Sequence, residues 1–167
     1  PELEVPQDGW TNYPMTVVRR LARNFGATLQ GAEISFLSDL PPAAGMSSSS
    51  ALMVATYLAL AAHNQLSERE VYQSHISDQL ELAAYLGTME NGQSFGDLEG
   101  DRGVGTFGGS EDHTAILCSR AGHLGQYSYC PARFERHITL PDGYALALGF
   151  TGVVAEKTGA ALGPYNR

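Results

Sequence analysis

The sequence predicts a single α+β domain, and three observations predict it. Stretches with helical periodicity and stretches with strand character both occur. They do not follow the regular βαβα alternation that a doubly wound parallel sheet requires. The chain has 167 residues, 43% of them apolar, which suits one compact domain with a core of its own.

The elements follow in order. Asn12–Phe25 carries apolar residues at Met15, Val18, Leu21, Ala22 and Phe25, with Arg19, Arg20 and Arg23 between them, which is the spacing of an amphipathic helix. Gly26 is its expected stop. A short strand is expected over Glu33–Leu37, closed by Asp39-Leu-Pro-Pro because proline cannot continue a ladder. Pro41–Ser50 is a loop of small residues that feeds Ala51–Ala62, a helix apolar on most faces and therefore expected to be central and buried. A second long helix is expected over about Glu68–Thr88, with Ser67 and Glu70 at capping-box spacing and Val71, His75, Leu82, Ala83 and Leu86 on one face. Gly92–Gly109 is rich in glycine and acid and reads as the longest loop. Glu111–Cys118 reads as a short helix. Strands are expected near Leu124–Tyr129, Arg136–Leu140 and Tyr144–Phe150, and a last helix over Glu156–Arg167. No internal repeat, low-complexity tract or linker divides the chain, so residues 1–167 are read as one domain.

Composition excludes several classes of function. Ten basic against eighteen acidic residues leave a net charge of −8, and Lys157 is the single lysine. Nucleic-acid binding needs clustered basic side chains, which are absent here. The same deficit argues against an anionic membrane surface, and no apolar run approaches the ~20 residues of a membrane span. Pro1–Trp10 is polar and acidic, unlike a signal peptide. Cys118 and Cys130 form neither a disulfide framework nor a zinc pattern, and read as reduced thiols of a cytoplasmic protein. The chain begins on Pro1 and stops inside a predicted helix, as a piece of a larger protein would.

Three stretches carry chemistry. Pro41–Ser50 places glycine and hydroxyl residues before a helix, where unpaired N–H groups and the helix dipole favour an anion such as phosphate. Ordinary N-capping by serine is the plainer reading of the same residues. The loop lacks the Gly-Lys-Ser/Thr of a Walker loop, and Ser49 stands where a nucleophile elbow needs glycine. In the second stretch, Gly105–Thr114, glycines lead into a helix whose first turn holds Glu111 and Asp112. These are either ordinary first-turn charges or, for Asp112, a carboxylate beside a closely approached glycine backbone that could orient a hydroxyl or take its proton. Third, Glu90 near a helix end is either solvated or a partner for a serine hydroxyl on magnesium. None of the five histidines shows metal-ligand spacing. Only His113, beside Asp112, stands near these stretches.

Taken together, these residues resemble the GHMP sugar and metabolite kinases, and most of all their galactokinase branch. The family's phosphate-loop signature Pro-x-x-x-Gly-Leu-x-Ser-Ser-Ala is similar to Pro41-Pro-Ala-Ala-Gly45-Met46-Ser47-Ser48-Ser49-Ser50-Ala51. Met46 replaces leucine, and Ser50 stands where alanine is usual. Trp10-Thr-Asn12-Tyr13 resembles the branch's Trp-Ala-Asn-Tyr. Gly109-Ser-Glu-Asp112-His looks like its Gly-Ile-Met-Asp-Gln, and Tyr165-Asn166-Arg167 looks like its Tyr-Asn-x-Arg. The four motifs agree in order and approximate spacing over nearly the whole chain.

The resemblance implies the fold of the N-terminal GHMP domain, of the ribosomal protein S5 domain 2 type. It implies an ATP- and Mg²⁺-dependent kinase acting on a monosaccharide such as galactose. Pro41, Gly45, Met46, Ser47, Ser48, Ser49 and Ser50 would surround the nucleotide phosphates. Ser49 and Glu90 would ligate magnesium, and Asp112 would be the catalytic base. Gly109 and Tyr165 would stand near the substrate. Trp10 would line the nucleotide pocket or pack as a core aromatic. Two departures are visible. Gly92–Val104 is longer than the corresponding galactokinase connection. The family's sugar-recognition motif and its glycine-rich third motif do not occur in the chain, which is therefore expected to be an incomplete N-terminal domain, inactive alone. A sugar- and ATP-sensing protein of the same fold, or a kinase for arabinose, fucose, mevalonate or homoserine, are the alternatives. A serine hydrolase using Ser48 or Ser49 is disfavoured because no histidine is placed as partner.

Overall fold

A computed structural model of the chain describes residues 9–26, 28–41, 44–149 and 152–153. Helix α1 (Asn12–Phe25) and helix α2 (Ser48–His63) come first. After a single 3₁₀ turn at Leu66–Glu68 come the short α3 (Glu70–Gln73), α4 (Gln79–Asn91) and α5 (Glu111–Cys118). A hairpin closes the described part: β1 (His123–Ser128) pairs antiparallel with β2 (Arg133–Thr139), with an irregularity at Gln126–Tyr127. Helices and antiparallel strands are thus segregated along the chain, as an α+β domain requires.

The core lies between α1, α2 and α4. Val17, Leu21 and Phe25 of α1 meet Met53, Val54, Tyr57 and Leu60 of α2 and Leu82, Tyr85, Leu86 and Met89 of α4. Val17 and Met53 have no exposure at all, and burial of each contributes about 1.5–3 kcal/mol. Tyr85 is the hub, with Phe25, Tyr57 and Phe95 all edge-on to its ring at 5.8–6.3 Å.

Several elements differ from the sequence expectation. The buried face of α1 runs through Tyr13, Val17 and Leu21 and includes Arg20, whereas Met15, Val18 and Ala22 line an open groove. Helix α2 is buried on one side only, since Ala55 and Leu58 face outward. The expected long helix over Glu68–Thr88 is broken at Ser74–Asp78. There the Ser74 hydroxyl and the His75 ring turn back on the Val71 carbonyl, and such local bonds compete with the helix ladder. Asp78 then starts α4 afresh, its Oδ1 accepting from the N–H of Leu80 and Glu81, both at 2.8 Å. The cap is therefore Asp78, with Glu81 reaching back to the N–H and hydroxyl of Ser77. Ser67 and Glu70 do not form the expected capping box. Residues 33–37 and 144–149 are irregular rather than strands. Among the described residues no neighbouring strand offers them a ladder, and an unpaired extended segment is not a sheet. The last expected helix, Glu156–Arg167, lies outside the described residues.

Candidate functional site

The loop before α2 has an unusual backbone. Gly45 holds φ +76° and Ser47, at the N-cap, holds φ 51°. A left-handed serine costs of order 1 kcal/mol and persists where the surroundings demand it. The Ser47 side chain makes no capping bond, so plain N-capping does not account for it. The first ladder bond of α2 runs from the Ala51 N–H to the Ser47 carbonyl at 2.9 Å. The N–H groups of Ser48, Ser49 and Ser50 precede it and have no acceptor within the helix. They stand at the positive end of a 16-residue helix, a geometry that suits an anion. Gly45 and Met46 are exposed, Ser47, Ser48 and Ser49 are half-buried and Ser50 is buried. Pro41 is exposed; positions 42 and 43 lie outside the described residues.

Glu90, in the last turn of α4, is brought to this helix from 40 residues away. Its Oε2 accepts from the Ser50 hydroxyl at 3.1 Å, and its Oε1 accepts from the Thr106 hydroxyl at 3.2 Å. The buried His113 ring places Nε2 3.3 Å from Oε2. Burial pushes the His113 imidazole below its ordinary pKa, against the opposing pull of Glu90 and then Asp112. The Glu90 side chain keeps 16% exposure, so the carboxylate stays open on one side. Among the described residues no group of three or more His, Cys, Asp and Glu is arranged to hold a metal ion unaided. One carboxylate beside a run of hydroxyls is the donor set that suits magnesium shared with phosphate oxygens.

The segment after α4 is held tightly, which is how the long Gly92–Gly109 loop comes to support a site. The N–H of Val104 bonds the Glu90 carbonyl at 2.9 Å, and the Asn91 amide bonds the Gly108 carbonyl at 3.1 Å. A Cβ on Gly103 would stand 2.2 Å from that same Glu90 carbonyl, so only glycine lets the backbones meet. Helix α1 clamps the loop from the other side. Arg20 donates to the Gln93 carbonyl at 2.8 Å and the Asn24 amide to the Glu99 carbonyl at 3.0 Å, while Arg23 pairs with Glu99 at 3.0 Å.

Asp112 sits half-buried in the first turn of α5, one residue before buried His113. The expected close glycine approach is not at Gly109, where an added Cβ meets nothing within 4 Å. It is at Gly87 of α4, where a Cβ would lie 2.9 Å from the Ser110 Cα. Gly87 therefore sets the distance between α4 and α5, and with it the position of Asp112. Trp10 is 65% exposed and does not pack as a core aromatic. It lines a cavity of about 450 Å³ with Met15, Val18, Phe36, Thr56 and Leu60. None of Gly45–Ser50 lines that cavity, so the two regions are separate in the described structure. Tyr165 lies outside the described residues. Sequence reasoning missed Thr106, Arg20 and Gly87. Only the glycine at 87, inside an otherwise strong helical stretch, carried a signal that could have been followed.

The GHMP kinases N terminal domain family matches residues 12–97, about half of the chain, including the serine loop and Glu90. The chain belongs to the GHMP kinase family. A galactokinase from Halalkalibacterium halodurans is 35% identical over 115 residues, which is 67% of this chain and 26% of that protein. The chain thus spans about a quarter of the length of the curated relative it matches. No solved structure matches it. The GHMP family match ends before Asp112, so the aspartate rests on its motif and its place in the structure. Among the described residues no helix is long and apolar enough to cross a membrane, and Cys118 and Cys130 are both free thiols.

Proposed function

We propose that the chain is the phosphate-binding part of an ATP-dependent sugar kinase, one that phosphorylates the anomeric hydroxyl of galactose or a closely related monosaccharide. The observation that carries this reading is the meeting of Glu90 with the serine loop at the start of α2, 3.1 Å at Ser50. An anion-binding helix start and a metal-ligating carboxylate are what phosphoryl transfer asks of a protein. The fold assigned with it is the N-terminal GHMP domain of ribosomal protein S5 domain 2 type.

The backbone N–H groups of Gly45–Ser50 hold the nucleotide phosphates, and the α2 dipole supplies positive charge that the lysine-poor sequence does not. Ser49 and Glu90 hold magnesium, which when bound neutralises phosphate charge. Asp112, at the start of α5, accepts the proton of the sugar hydroxyl and orients its oxygen toward the γ-phosphorus. Asp112 needs no partner triad for this, because transfer depends mainly on position and charge rather than covalent catalysis. Gly109 keeps the approach to Asp112 open, and Tyr165 is assigned to the substrate on its motif alone. Trp10, exposed in a cavity apart from the serine loop, is given no part in phosphate binding.

The test uses the full protein with Mg²⁺-ATP and a panel of galactose, arabinose and fucose. Mg²⁺-ATP should raise the unfolding temperature, and one sugar should drive ADP release. Asp112→Asn should lower that turnover at least about 100-fold while the thermal stabilisation by Mg²⁺-ATP persists. Absence of any stabilisation by Mg²⁺-ATP in the unaltered protein would overturn the kinase reading.

A further inference from the structure

Glu90 is gripped at both oxygens, and neither hydroxyl that grips it belongs to the magnesium-ligand pair proposed above. Ser50 and Thr106 are both buried, at 1% and 2% exposure. They approach from different elements: Ser50 from the first turn of α2, Thr106 from the returning loop. A glutamate held at one oxygen still turns about its terminal torsion, which is a broad, weakly restrained rotor. Held at both, it has one orientation. His113 places Nε2 3.3 Å from Oε2 and is itself 1% exposed, so the core side of that oxygen is occupied by a buried ring.

We propose that Ser50 and Thr106 are positioning residues that lock the Glu90 carboxylate in a single orientation for the metal–nucleotide complex. This rests on the kinase reading above. The hydroxyl at position 50 stands where the related loop motif carries alanine, and Thr106 lies two residues beyond the long Gly92–Val104 connection. The support is structurally determined: Val104 bonds the Glu90 carbonyl at 2.9 Å, and that bond sets the backbone two residues before Thr106. Each hydroxyl donates a hydrogen bond to a different carboxylate oxygen, and each oxygen keeps a further lone pair for a ligand. Outer partners of this kind typically govern metal affinity by 10–100-fold.

The experiment measures Mn²⁺ binding in the presence of a non-hydrolysable ATP analogue, by the paramagnetic resonance signal of free Mn²⁺, in the full protein and its variants. Thr106→Val should weaken Mn²⁺ binding at least about 10-fold, and Ser50→Ala should do the same. Thr106→Ser, which keeps the hydroxyl, should stay within about 3-fold of the unaltered protein. Unfolding temperatures measured without metal separate this from loss of fold, because Thr106→Ser and Thr106→Val both remove or replace only a small group. Unchanged Mn²⁺ affinity in Thr106→Val overturns the proposal, and so does Thr106→Ser binding as weakly as Thr106→Val. If the unaltered protein binds no Mn²⁺ with the analogue, the kinase reading itself has failed, and the positioning role falls with it.

Discussion

Gly87 shows how one side chain's absence sets a functional distance. Helices α4 and α5 meet so closely there that a methyl group would stand 2.9 Å from both the Cα and the Cβ of Ser110. Neither atom is the end of a flexible side chain, so α5 itself must shift. Gly87→Ala is expected to cost about 1–3 kcal/mol, as overpacking does, and to lower the urea midpoint accordingly. Asp112 lies two residues beyond Ser110 and would move with it. An unchanged midpoint would show that the α4–α5 spacing relaxes freely. At the same scale, Ser47 trades helix capping for a left-handed backbone, and the motif Gly-Met-Ser-Ser-Ser gains chemical meaning from that conformation rather than from its hydroxyls alone.

Among the elements, α4 determines most. It carries Tyr85 into the core, Gly87 against α5 and Glu90 to the start of α2. Its beginning depends on Asp78, which satisfies two N–H groups that would otherwise have no acceptor. Asp78→Ala is expected to destabilise the protein by about 1 kcal/mol, with Asp78→Asn recovering most of the loss. Chemical denaturation of the two variants checks this. Equal losses in both would show that the carboxylate's charge, rather than its hydrogen bonds, supports the helix. Helix α1 has a second role besides core packing. Its polar face holds residues 93–102 in place through Arg19, Arg20, Arg23 and Asn24. Arg20 is 1% exposed and stands 5.5 Å over the Tyr85 ring, so a residue that looks like solvated charge in the sequence is part of the interior.

At the scale of the molecule, the chain spans 26% of the galactokinase it matches, and the phosphate side of a kinase site is what we propose it contributes. Neither the family's sugar-recognition motif nor its glycine-rich third motif occurs in it. By itself the chain is therefore expected to release no ADP in response to galactose, in a coupled assay with Mg²⁺-ATP. Robust turnover would show that these residues suffice for a complete sugar site. The apolar groove of about 450 Å³ beside α1 and α2 and the irregular residues 29–39, tied to α2 through Gln30 and Asn64, belong to this scale too. Leu29, Ile34 and Phe36 of that segment form one wall of the groove, and Leu29 and Ile34 pack against the core.

The sequence by itself determined the helices whose signals are local. The bounds of α1 and α5 follow from periodicity and a following glycine or from a charged first turn, and both stand where expected. It also determined the family, because four motifs in fixed order constrain more than any one of them. Only the tertiary structure decided what depends on distant partners. Residues 33–37 and 144–149 have strand composition yet form no ladder with any described strand, because a strand is made by its neighbour. Glu90 became part of the site because a hydroxyl 40 residues earlier and another 16 residues later converge on its two oxygens. No periodicity encodes that convergence. It arises from the close packing of α4 on α5 and from the glycine-lined return of the loop at Gly103.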